Sequence, residues 1–185
     1  MKSGRLFLFF LLAVIVTTAI LSFMMPTSQK AERSIVINSP AVRIYDLLAK
    51  LENFNKFSVW SHQDSTAIYT FTGTDGTVGA TMAWKGSPEI SGAGKLEIVT
   101  LDPGRKVVQK IQFINPRKGN AESIFNLVET NTSTTNVTWT FKMASPRPWN
   151  IFNLVYNMDK KMGKDFEDGL KTLKIMIEQS NLVVP

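Results

Sequence analysis

The sequence predicts an α+β protein: an uncharged N-terminal helix, then a curved antiparallel sheet of about seven strands with one long C-terminal helix across it. Three observations predict it. Leu6–Met25, LFLFFLLAVIVTTAILSFMM, holds no charge over 20 residues. A strand and an apolar-striped helix then lead into about eighty residues of alternating, β-rich sequence cut by turn material. From Asn150 onward, apolar residues return at helical spacing.

At about 1.5 Å rise per residue the N-terminal run spans roughly 30 Å, the thickness of a bilayer core. It exceeds the ~7–15 apolar residues of a cleavable signal, and no small-x-small cleavage site stands out between Ser22 and Ser28. Residues 1–25 therefore read as a membrane anchor, with secretion after signal cleavage as the alternative. The α-amino group, Lys2 and Arg5 precede the span and Lys30 and Arg33 follow it, which predicts a cytoplasmic N-terminus with the domain outside. Residues 26–32, opening on Pro26, read as a polar linker.

The domain is expected over residues 33–180. RSIVIN alternates and is β-branched, a first strand. Ser39 suits an N-cap and Pro40 a first helical position. Val42, Ile44, Tyr45, Leu47, Leu48 and Leu51 then form a stripe on a helix expected to end near Glu52 and Asn53. A turn follows, FNKFSVWSHQD, in which Phe54, Phe57 and Trp60 precede His62, the only histidine of the chain. Strands are expected near Thr66–Thr72, Thr77–Trp84, Gly94–Leu101, Lys106–Ile114, Glu122–Thr130 and Thr134–Ala144. The short separators GTDG, KGSPEISGAG, DPG, NPRKGN and TNTS favour an antiparallel meander. SPRPW breaks the last strand, and a helix from about Asn150 to Gln179 carries Ile151, Leu154, Val155, Met158, Met162, Phe166, Leu170, Leu173 and Ile177 on one face.

Alternation assigns an inner face. Ala80, Met82 and Trp84 share it with Val78, followed by Leu96 and Ile98, then Val107, Gln109, Ile111 and Phe113. Phe125 and Leu127 come next, and last Val137, Trp139, Phe141 and Met143. This face holds no carboxylate, lysine or arginine, and Gln109 is its strongly polar member. General acid–base catalysis would have to draw on loops, where Asp64, Asp75, Glu89 and Asp102 remain. A packed core explains such an apolar face as well as a pocket does.

The order of elements resembles the START-like superfamily of polyketide cyclases and lipid-transfer domains (SRPBCC), with its helix-grip fold. INSPAVRIYDLLAKLENFNKFSVW is similar to the family's opening strand, helix and aromatic turn. GTDGTVGATMAWKG and GAGKLEIV resemble its central hairpins, TNVTWTF a late strand, and MGKDFEDGLKTLKIMIE the closing helix. The resemblance spans roughly Arg33 to Glu178 and implies a domain gripping a hydrophobic small molecule or lipid between sheet and helix, with no shared catalytic set to carry over. The cavity candidates are Trp60, His62, Met82, Trp84, Gln109, Phe113, Phe125, Trp139, Met158, Met162 and Phe166. An enzyme of cyclase, dehydratase or hydrolase type using His62 and loop acids is the alternative, and a ligand-free scaffold the second.

Other classes find little footing. Without cysteine there is no disulfide, thiolate nucleophile or thiolate metal site, and one histidine builds no usual zinc site, so no metal or cofactor is expected. The net charge of +6 counts Lys2 and Arg5 ahead of the apolar run; the C-terminal lysines alternate with acids as a solvated helix face, so no nucleic-acid partner is expected. Ser61, His62 and Asp64 could form a triad on paper, but residues so close in one loop seldom point at one another. Gly163 and Gly169 each weaken the last helix by about 1 kcal/mol; close approach of sheet or ligand is one reason for them, and a tolerated surface glycine is the other.

Overall fold

The computed structural model describes residues 2–180; Met1, counted in the expected anchor, lies outside them. Helix α1, Lys2–Met24, contains a 21-residue stretch of mean hydropathy 2.7, long and apolar enough to cross a membrane or to serve as a signal sequence. Strand β1 (Ser28–Ile37) follows, then three short helices, α2 (Ala41–Leu48), α3 (Leu51–Phe57) and α4 (Val59–Gln63). Strands β2 (Ile68–Thr72), β3 (Thr81–Lys85), β4 (Ala93–Asp102), β5 (Lys106–Asn115), β6 (Gly119–Asn131) and β7 (Thr134–Ala144) come next. A 3-10 helix, Trp149–Leu154, leads into α5, Met158–Ser180.

The seven strands form one antiparallel sheet in the order β1-β7-β6-β5-β4-β3-β2. Consecutive strands pair as hairpins from β2 to β7, because short turns permit nothing else, and β1 returns to pair with β7. Helix α5 lies against the inner face, burying Met158, Phe166, Leu170, Leu173 and Ile177, which with the half-buried Met162 recur at three- and four-residue intervals. The core is continuous from Ile44, Leu48, Leu51 and Phe57 through Leu96, Ile98, Val107, Phe125 and Val137 to this helix stripe. The sheet and long C-terminal helix make the helix-grip architecture that the element order predicts.

Several boundaries differ from the expectation. Residues 28–32, read as linker, belong to β1: Gln29, Ala31, Arg33, Ile35 and Ile37 face α5, and Ala31 opposite Phe141 is fully buried. Polar residues hid this strand, since Gln29 and Arg33 are satisfied by the helix they face. Met158 N donates to Gln29 Oε1 at 2.9 Å, and the Arg33 guanidinium holds Asp159 at 2.7 Å and Glu167 at 2.8 Å. Gly163 is the helix position that admits this guanidinium, since a Cβ there would overlap it. At Gly169 the close neighbour is the Trp139 ring.

The helix expected to run to Asn53 ends at Leu48 and restarts as α3. Asp75, one of the loop acids left by the sequence, takes the N–H groups of Leu51 at 2.7 Å and Glu52 at 3.2 Å, capping a new helix from a distant loop. Ser39 makes no cap hydrogen bond; Pro40 occupies that position, and Glu129 Oε1 accepts from Ala41 N at 2.9 Å instead. The stretch read as an aromatic turn is therefore mostly helix, α3 and α4. Val78 is exposed rather than inward, because the chain enters β3 only at Thr81. The C-terminal helix begins at Met158, not Asn150, so Leu154 and Val155 leave its buried stripe and are exposed.

The start of this break meets the end of α1. Asn150, fully buried, donates from Nδ2 to the carbonyls of Ser22 at 2.7 Å and Met25 at 3.0 Å, and accepts from Ser22 Oγ at 2.7 Å. Arg147 donates to Ser22 O at 3.1 Å and Phe23 O at 3.3 Å, with its guanidinium 4.9 Å from the Phe23 ring centre. These groups satisfy carbonyls that every helix C-terminus leaves open, and the cation suits that end of the dipole.

Candidate functional site

Between α3, α4, the inner face of the sheet and the start of α5 lies a cavity of about 210 Å³. Its wall comprises Phe54, Trp60, Met82, Trp84, Leu96, Ile111, Phe113, Phe141, Trp139 and Met162, with Tyr69 and Ile90 toward β2 and the β3–β4 loop. Polar groups are few: Asn55, Ser58, Ser61, Gln63, Ser91 and Ser123. No charged side chain stands among the described residues of the lining. Gln63 and Ile90, both exposed, mark the mouth between α4 and the β3–β4 loop.

Trp139 is the hub of the wall. It stacks on Phe125 at 4.9 Å between ring centres and meets Phe166 at 4.6 Å, Phe57 at 5.8 Å and Trp60 at 6.1 Å edge-on. Its Nε1 donates to Ser123 Oγ at 2.9 Å, so the buried indole is satisfied. On the other side Trp84 meets Phe113 at 6.0 Å and donates from Nε1 to Ser91 O at 3.0 Å. Gly94 makes room for that indole, since any Cβ there would overlap the six-membered ring.

Of the residues singled out from the sequence, Trp60, Met82, Trp84, Phe113, Trp139 and Met162 line the cavity. Phe125, Met158 and Phe166 lie behind it in the packed core, fully buried. Gln109 is fully buried too, opposite Ser123 on the neighbouring strand and two residues from Ile111, both of which line the cavity. Neither its Nε2 nor its Oε1 has a hydrogen-bond partner among the described residues, and the same holds for Ser58 Oγ in the cavity wall. His62 is outside: it is exposed, and its Nε2 lies 3.3 Å from Lys56 O. The inner face read from strand alternation includes Leu96, Ile111 and Phe141 as well; it misses Ser123, two residues before Phe125, and Asn55, Ser58 and Ser61 enter only because the expected turn is helical.

The paper triad is not assembled. Ser61 Oγ donates to Asn55 Oδ1 at 2.9 Å, and among the described residues neither Ser61 nor His62 hydrogen-bonds Asp64. Asp64 is buried and structural. Its Oδ1 accepts from Thr66 N at 3.0 Å and Thr66 Oγ1 at 2.6 Å; its Oδ2 accepts from Ser87 N at 2.8 Å and from Ser91 Oγ. The Ser91 hydroxyl, then Thr66 and the backbone N–H groups, favour the carboxylate and bring its pKa from 3.8 to about 2. Asp64 thus ties the loop before β2 to the β3–β4 loop at the mouth. A folded-state pKa below the unfolded one adds stability that is complete above 3.8 and is lost as pH falls through about 2. In thermal melts, Asp64→Asn is expected to lower the neutral-pH midpoint and to flatten the decline over that acid window relative to wild type. A variant with the wild-type acid profile would remove Asp64 from the account.

The fold is shared with solved structures of low sequence identity. Norcoclaurine synthase from Thalictrum flavum, in complex with dopamine and hydroxybenzaldehyde, aligns at TM-score 0.59 and 10% identity over 86% of this chain and 92% of that one. The Zhui aromatase/cyclase from Streptomyces sp. R1128 aligns at 0.56 and 10% over 82% and 94%. The ginseng major latex-like protein 151 from Panax ginseng aligns at 0.56 and 14% over 82% and 98%. Among curated protein sequences nothing matches this chain significantly. The family profile described as polyketide cyclase / dehydrase and lipid transport matches residues 28–178, the sheet and helices that build the cavity, and the chain belongs to that family.

Proposed function

We propose that the protein is a membrane-tethered domain that binds a hydrophobic small molecule or lipid in this cavity and catalyses no reaction on it. The observation that carries the reading is an apolar cavity of about 210 Å³ whose described lining holds aromatics, methionines and a few hydroxyls and amides but no charged group. Such a wall matches a ligand that partitions out of water, and it brings no carboxylate, histidine or lysine to bear on one; the Tyr69 phenol is its one titratable group among the described residues. Trp60, Met82, Trp84, Phe113, Trp139 and Met162 are the proposed contacts. The buried Ser58 hydroxyl and the neighbouring Gln109 amide suit a ligand with one hydrogen-bonding group on an otherwise apolar body. The proposed tether is α1, with the N-terminus in the cytoplasm and the domain outside, following the charge before the span.

Native mass spectrometry of the detergent-extracted full chain tests it. The expected result is a bound species of low mass that is released on activation and is absent from Ile111→Trp, a variant that grows into the cavity. Because the added ring enters empty space, Ile111→Trp is expected to melt within about 1 kcal/mol of wild type. A filled core would instead lose about 1–3 kcal/mol to overpacking. That loss, together with a bare wild-type mass, would sink the proposal.

A further inference from the structure

We infer that the segment from Trp149 to Tyr156 is an interfacial seat: it lies in the surface of the bilayer that α1 enters and holds the domain against it. The inference rests on the reading of α1 as a membrane span. Trp149 is 65% exposed, Phe152 54%, Leu154 59% and Val155 84%, with Tyr156 also exposed. Five large apolar residues within eight positions do not face water without reason in a helix this close to a core. Trp149 and Phe152 stack nearly parallel at 6.3 Å, presenting one apolar surface.

Continuity with α1 identifies what covers that surface. The Asn150 amide is bonded to the carbonyls of Ser22 and Met25 in the last turn of the apolar helix, and Asn153 Nδ2 donates to Pro26 O at 3.0 Å. The 3-10 helix is thus pinned within one side chain's length of the point where the span ends. If α1 crosses a bilayer, Trp149 and Phe152 stand at the boundary between hydrocarbon and headgroups, where Trp and Tyr are favoured. The flanking charges fit anionic headgroups: Arg147 sits over Phe23, and Lys161 Nζ lies 5.7 Å from the Tyr156 ring centre, with Lys160 beside it. A bilayer meets every one of these features; a soluble partner has no reason to be found at the end of the span.

The seat also orients the cavity. Strand β1 starts at Ser28 opposite Ala144, so α1 leaves from the sheet edge that carries the ends of β3 and β5. The β3–β4 loop, with Ile90 at the cavity mouth, is on that same edge. Seating residues 149–156 in the headgroups turns the mouth toward the membrane.

The chain has no cysteine, so single cysteines can carry a nitroxide label without background. Phe152→Cys, Val155→Cys, Leu12→Cys in the middle of α1, and Thr132→Cys in the β6–β7 turn at the opposite edge are reconstituted as full chain into phosphatidylcholine vesicles containing phosphatidylglycerol. Collision of the label with oxygen is compared with collision with a water-soluble nickel chelate. The ratio at 152 and 155 is expected to stand several-fold above that at 132 and to approach that at 12. A membrane-like value at 12 with water-like values at 152 and 155 overturns the seat and leaves the tether standing. A water-like value at 12 removes the tether, and the seat falls with it. Dipolar broadening between labels at 152 that survives dilution into excess lipid would assign the surface to a second copy, which also overturns it.

Discussion

Trp139→Ala is expected to lower the stability of the domain by about 3–5 kcal/mol, the usual loss for a fully buried large aromatic. Three observations put it there. The side chain is 1% exposed, its ring touches Phe57, Trp60, Phe125 and Phe166, and α5 narrows to Gly169 to let it in. Removing it deletes ring contacts to the α3–α4 segment, the sheet and the long helix at once. It also leaves the Ser123 hydroxyl without the indole N–H it now accepts. Trp139→Phe should recover most of the loss, because the ring contacts persist and only the hydrogen bond goes. Urea or thermal unfolding of the full chain in detergent micelles measures both. A loss below about 1 kcal/mol for Trp139→Ala would mean that the neighbouring rings collapse into the space, and that the cavity wall is plastic rather than fixed.

Gln109→Leu is expected to act in the opposite direction. Leucine is similar in volume and removes two buried polar atoms that have no partner among the described residues. An unsatisfied buried donor or acceptor costs about 1–3 kcal/mol, so the ligand-free chain should gain stability of that order. Under the proposed function the gain is accompanied by weaker retention of a ligand whose polar group reaches the amide. A residue that lowers stability and aids binding is what a recognition site predicts. Melting of the delipidated variant, beside native mass spectrometry of the extracted one, reads the two effects separately. A Gln109→Leu chain less stable than wild type after delipidation would show that the amide is already bonded in the empty protein, and would end its role as a waiting anchor.

The sequence and structure agree where a local period and a burial face coincide. Strand β7 has the bounds that alternation predicts, because Val137, Trp139 and Phe141 point inward between polar neighbours. The second half of α5 is equally legible, with Phe166, Leu170, Leu173 and Ile177 on one stripe. Agreement fails where a polar side chain is satisfied by something distant in the chain. Gln29 falls in what reads as a linker, since nothing in SQKAE announces the Met158 N–H that bonds it, and nothing in RSIVIN announces Asp159 and Glu167 as partners of Arg33. Asp75 starts α3 from 24 residues away, and no pattern within Leu51–Phe57 signals it. His62 drew notice for being the only histidine, and tertiary packing leaves it on the surface.

By itself the sequence determined the apolar N-terminal helix, the antiparallel meander, the closing helix and inner positions of β3 to β7 that carry no charge. These follow from hydropathy, period and turn chemistry, which act over a few residues. Only the tertiary structure decided that this inner face encloses space instead of closing on itself. The difference between a cavity and a core lies in how α3, α4, the curled sheet and α5 are set against one another. That placement depends on contacts such as Asp75 with Leu51, Arg33 with Asp159, and Trp139 with Gly169. Each joins groups far apart in the chain, so their geometry appears only when the chain has folded. The same holds for the end of α1: Ser22 and Asn150 are unremarkable alone, and their hydrogen bonds tie an apolar helix to the 3-10 helix that carries the exposed aromatics.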